Sequence, residues 1–71
     1  MTTTTGVIAS LAGERGFGFI QADGGGRFFF HATALERGVS FASLYERQRV
    51  SFEATEAERG PRAERVVLVD G

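Results

Sequence analysis

Arg15-Gly16-Phe17-Gly18-Phe19-Ile20 and Phe28-Phe29-Phe30-His31, separated by Asp23-Gly24-Gly25-Gly26, decide how this chain folds. Extended backbone sends successive side chains to opposite faces. Phe17 and Phe19 therefore share one face of the first run, and Gly18 and Ile20 the other. In the second run Phe28 and Phe30 share a face, and Phe29 and His31 its opposite. The Gly-rich turn joins the runs into an antiparallel hairpin. Ile20 supplies the inward side of the first run, so Phe28 and Phe30 join it there. Phe17, Phe19, Phe29 and His31 are left together on the outer face. The chain is too short to cover both faces with a second layer. A solvent-facing aromatic cluster costs solubility and suggests a partner.

Outward from this hairpin, short alternating runs between turn signals dominate, and no long stretch keeps a helical period. Strands are predicted near Gly6 to Leu11, Gly16 to Gln21, Phe28 to His31, Arg49 to Thr55 and Arg62 to Val69. Ala12-Gly13-Glu14 turns the first into the second, and Glu58-Arg59-Gly60-Pro61 closes the last hairpin. Ala32 to Arg47 is a long connection with one short helical turn near Ala32 to Leu35, and Leu44 and Tyr45 are expected to anchor it. Residues 1–5 read as a flexible tail and 6–70 as the domain. Five short strands with a long connection after the third fit an all-β, five-stranded antiparallel OB-fold barrel, whose strand-two and strand-three face binds oligonucleotides.

Composition narrows the function. The 71 residues carry a net charge of −1, and all eight basic residues are Arg. That balance argues against a binder dominated by phosphate neutralisation. There is no Cys and one His, and the carboxylates do not cluster, so neither a metal site nor a cofactor is expected. His31 has no nucleophile or orienting partner beside it, so the chain does not read as an enzyme. Asp23-Gly24-Gly25-Gly26 is followed by no helix and no Lys-Ser/Thr pair, so it is a hairpin turn and not a phosphate loop. Glu53, Glu56, Glu58 and Glu64, interleaved with Arg59, Arg62 and Arg65, read as a solvated strand face of mixed charge. Neither a secretory leader nor an apolar run of membrane-spanning length is visible, so a cytoplasmic protein with no membrane partner is expected.

The paired aromatic runs carry a family resemblance. Arg15-Gly16-Phe17-Gly18-Phe19-Ile20 resembles the first ribonucleoprotein motif and Phe28-Phe29-Phe30-His31 the second. Their order, the turn between them and the short length resemble the cold-shock domain of bacterial cold-shock proteins. Gln48-Arg49-Val50-Ser51-Phe52-Glu53 and Arg59-Gly60-Pro61-Arg62-Ala63 extend the likeness over about Gly6 to Val69. The first motif alone also fits an RRM, which needs two long helices that this sequence lacks.

The resemblance implies a barrel that binds single-stranded RNA or DNA. Phe17, Phe19, Phe29 and His31 match the family's stacking residues, and Phe41 matches a loop aromatic that caps one end of the strip. Arg15 stands where a Lys is usual and would reach phosphate or stack. Ile8, Phe28, Phe30, Val50, Phe52 and Val66 match core positions. Departures are also visible. Ala9-Ser10-Leu11-Ala12 replaces the usual Lys-Trp-Phe-Asn, so Ser10 stands for a Trp platform. Ala32 replaces an aromatic, and Arg47 a Gly.

The expected function is a nucleic-acid chaperone in which unpaired bases lie on the aromatic face, with Arg15, Arg59 and Arg62 near phosphates. Gly16 and Gly18 would let bases approach the backbone. A monomer with no small-molecule substrate is expected. The alternative is a barrel with weakened nucleic-acid binding that uses its aromatic face as a protein-interaction module.

Overall fold

Among the described residues, five strands close a barrel in the order β1-β2-β3-β5-β4. The structure is a computed structural model describing residues 2–36, 38–58 and 60–69. The strands are β1 (Thr2–Ala12), β2 (Phe17–Ala22), β3 (Arg27–His31), β4 (Arg49–Ala57) and β5 (Gly60–Leu68). Two 3-10 turns, Ala32–Ala34 and Phe41–Ser43, lie in the long connection between β3 and β4. The first falls where the sequence predicts a helical turn.

The interior follows side-chain parity. Ile8 pairs with Ile20 across β1 and β2, and Ile20 with Phe28 across β2 and β3. Ile8, Ile20, Phe30, Val50, Phe52 and Val66 are essentially sealed from solvent. Phe28, expected in the core, faces it but stays half-buried, its ring centroid 5.2 Å from that of Phe52. Burying a large apolar side chain contributes about 1.5–3 kcal/mol, and in so small a domain no other source of stability is comparable.

Two glycines are demanded by close approach. Gly6 is shared by both ladders of β1, opposite Ala22 on one side and Val50 on the other. A Cβ there would lie 2.4 Å from the Gln21 carbonyl oxygen. At Gly18 a Cβ would lie 2.6 Å from the Ser10 carbonyl oxygen and 2.9 Å from the Phe30 ring. The bare side of Gly18 therefore serves the core. This corrects the expectation that it opens the backbone to bases.

Three further expectations change. β1 begins at Thr2, not Gly6: Thr2 to Thr5 pair with Ala54 to Ser51 of β4 and lengthen that ladder. A run of β-branched threonines suits a pleated strand. The barrel is not purely antiparallel, because β5 returns beside β3 in parallel through the single pair Phe29↔Arg62. Leu44 is buried and anchors the long connection, whereas Tyr45 is 62% exposed and anchors nothing. β1 also carries a bulge between Ile8 and Ser10. Regular alternation would put these two residues on one face, but the bulge sends Ile8 inward and sets Ser10 beside Phe19.

The β2–β3 turn is tied to two other strands. The Asp23 carboxylate accepts from Thr5 Oγ1 at 2.6 Å and from an Arg49 Nη at 2.9 Å. These hydrogen bonds, that from Thr5 foremost, hold its pKa below the ordinary value of 3.8. The second departure from ideal pairing lies between β4 and β5, where Ser51 faces Val67 but Glu53 faces Glu64. Arg65 and Val66 of β5 there stand against Phe52 alone, and Arg65 has φ +51°.

Candidate nucleic-acid interface

The β2–β3 register brings the predicted aromatic residues into neighbouring rows. Phe19 pairs with Phe29, and Phe17 with His31. Ring centroids are 5.6 Å apart for Phe17 and Phe29, 5.9 Å for Phe19 and Phe29, and 6.3 Å for Phe17 and Phe19. Each of these rings is half-buried, resting on its neighbours with part of its surface in solvent. Phe17 and Phe19 stand edge to face at 87°, a favourable geometry for ring quadrupoles. The cluster thus stabilises itself while leaving apolar surface uncovered.

β1 and β5 extend the rows. Ser10 lies opposite Phe19, and Ala12 opposite Phe17. Arg62 lies opposite Phe29. One row therefore reads Ser10, Phe19, Phe29, Arg62 across four strands. The Arg62 guanidinium carbon is 5.8 Å from the Phe29 centroid, within reach of a cation–π contact. Its Nε lies 3.1 Å from Glu64 Oε1. Arg65 Nε pairs with Glu53 Oε2 at 3.0 Å on the neighbouring stretch. Ion pairs among the interleaved Glu and Arg residues thus carry the mixed charge of this face.

His31 sits at the boundary between the face and the long connection. Its Nδ1 accepts from the Thr33 backbone N–H at 3.2 Å and caps the first 3-10 turn. A backbone N–H can only donate, so Nδ1 is the bare nitrogen and the neutral ring carries its proton on Nε2. His31 thus combines the capping role with a place opposite Phe17. Thr33 was not legible as a partner, because nothing in Ala32-Thr33-Ala34 marks which backbone group meets the imidazole.

The remaining predicted residues are less tightly gathered. Arg15 is exposed in the β1–β2 turn, where its backbone N–H and that of Gly16 both donate to the Ala12 carbonyl at 3.0 Å. Gly16 adopts φ +69°, so conformation and not access explains that glycine. Phe41 is half-buried against the core and meets Phe30, centroid to centroid at 6.3 Å. Its described ring contact is therefore on the barrel side, not with Phe17, Phe19 or Phe29. Arg59 lies outside the described residues.

Among the described residues no group of three or more His, Cys, Asp or Glu side chains gathers to hold a metal. No charged side chain among them is buried. The chemistry offered is apolar contact, ring stacking, the His31 N–H and Arg donors.

Residues 4–69 match the family described as 'Cold-shock' DNA-binding domain. The chain belongs to that family. A cold shock-like protein, CspLB, of Listeria monocytogenes is 47% identical over 87% of this chain and 92% of its own. Cold shock protein CspD of Bacillus subtilis is 48% identical over the same shares, 87% and 92%. Cold shock protein CspB of Geobacillus stearothermophilus is 45% identical, again over 87% and 92%. The cold-shock domain therefore spans nearly the whole chain, and the closed five-strand barrel is its OB-fold.

Proposed function

We propose that this cold-shock domain binds single-stranded RNA or DNA by stacking unpaired bases on Phe17, Phe19, Phe29 and His31, and so disfavours base-paired structure. The observation that carries the reading is the three-phenylalanine cluster, with centroids 5.6–6.3 Å apart on the outer face of β2 and β3. Every base has a π-face, so such a platform accepts sequence broadly. Only unpaired strands offer those faces. Binding therefore draws the equilibrium away from hairpins by mass action, without ATP. Arg62, 5.8 Å from the Phe29 ring centre, and Arg15, in the exposed β1–β2 turn, are the residues assigned to phosphates, while Ser10 leaves the β1 end of the strip without a ring. The site is accordingly shorter than one with Trp at that position. The protein acts as a cytoplasmic monomer and supplies no catalytic group.

Affinity measurements on short oligothymidylate and oligoadenylate test this. Phe17→Ala and Phe29→Ala should each weaken binding about tenfold, since a base–aromatic stack is worth about 1–3 kcal/mol. With about two phosphates neutralised, the log–log salt slope should be near about −1.4. A steep salt slope with no effect of either substitution would contradict stacking as the mode of binding.

A further inference from the structure

Arg62 and Glu64 lie two residues apart on β5 and so project to the same face. The register sets Arg62 directly against Phe29, one of the rings on which a base would rest. Its guanidinium carbon lies 5.8 Å from the centre of that ring. Glu64 holds the charge there through the 3.1 Å Nε···Oε1 approach. Yet Arg62 Nε is buried and makes no hydrogen bond of proper geometry. The ion pair is close but not aimed. Glu64 in turn faces Glu53 across the β4–β5 ladder, a like charge opposite it. Glu53 has its own partner in Arg65.

We propose that Glu64 is an affinity-setting residue: it parks Arg62 over Phe29 in the free protein and yields it to a phosphate when a base takes the ring. This rests on the single-strand reading above. A base stacking on Phe29 must compete with the guanidinium for the same ring. The displaced guanidinium, with an unsatisfied N–H, exchanges one carboxylate for a phosphate oxygen. The ligand thus has to outbid Glu64, and the exchange keeps binding weaker than an Arg62 without that carboxylate would give. Both side chains are more than a third exposed, 40% for Arg62 and 36% for Glu64, so the pair is of the modest, screened kind.

The test is Glu64→Gln, measured with short oligothymidylate and oligoadenylate across a salt series. Freeing Arg62 should tighten binding about two- to fivefold, the range of an exposed ion pair. The salt slope should stay at about −1.4, because Arg62 meets the same phosphate with or without Glu64. In an Arg62→Gln background the same substitution should change nothing. Glu56→Gln, which makes the same change in net charge at an exposed site, should leave affinity nearly unaltered. An unchanged affinity in Glu64→Gln would overturn the proposal. So would a gain that persists without Arg62, or one that Glu56→Gln reproduces. In the unaltered protein the Arg62 Nε–H and Glu64 carboxyl NMR signals should move together on adding oligothymidylate, and their standing still would also overturn it. If Phe17→Ala and Phe29→Ala weaken binding while Glu64→Gln does nothing, only this proposal fails. If neither phenylalanine matters, the stacking reading itself fails.

Discussion

Single side chains decide both the platform and the barrel beneath it. Ser10 is the clearest case, because the β1 bulge turns it outward beside Phe19. Ser10→Trp should add a ring to that row and tighten oligonucleotide binding about tenfold, within the 1–3 kcal/mol of one stack; a fluorescence titration reads it directly. Gly18→Ala should do the opposite to stability. The added methyl meets the Phe30 ring and the Ser10 carbonyl, and overpacking of that kind costs about 1–3 kcal/mol, visible as a lower urea midpoint. Arg47 adopts φ +72°, a left-handed conformation that L side chains disfavour by about 1–2 kcal/mol. Arg47→Gly should therefore stabilise the fold, by about 1 kcal/mol after the entropy of the added glycine is set against it. Parity made Phe17, Phe19, Phe29 and His31 readable from the sequence, because β2 and β3 alternate without interruption. In β1 the outward place of Ser10 came only through the resemblance, because one extra residue between Ile8 and Ser10 reverses the faces and no Gly or Pro announces it.

The elements are held in register by contacts that propensity does not encode. Asp23 reads as a turn former, yet its carboxylate joins the β2–β3 turn to β1 through Thr5 and to β4 through Arg49. Its pKa is lower folded than unfolded, so the unfolded chain binds the proton more tightly. The stability it contributes is present above the ordinary value of 3.8 and is lost as pH falls below it. Asp23→Asn should flatten that part of the pH dependence of the urea midpoint while leaving neutral-pH oligonucleotide affinity nearly unchanged. Most strand positions were legible because Gly-rich turns punctuate them. The parallel neighbourhood of β3 and β5 was not. It depends on where the long connection and β4 deliver the chain, and only the pair Phe29↔Arg62 marks it. That pair also brings Arg62 to the aromatic face, a placement that spacing along the chain could not supply.

At the scale of the whole molecule, a small barrel supports an apolar patch on its outer surface with a net charge near zero. Its six most deeply buried side chains come from β1 to β5, so the core closes only when all the strands are in place. Folding and binding are then linked: a ligand that binds only the closed barrel raises its stability by about 2.7 kcal/mol at a hundredfold excess over Kd. For a domain of this size that should raise the Tm by about 10–20 °C, readable by calorimetry. The most direct test of the central claim is an NMR titration of the aromatic side chains with short oligothymidylate at neutral pH. Ring protons of Phe17, Phe19, Phe29 and His31 should move strongly and together, while those of Phe30 and Phe52 stay in place. Saturable binding that leaves the first group unmoved would contradict base stacking on this face.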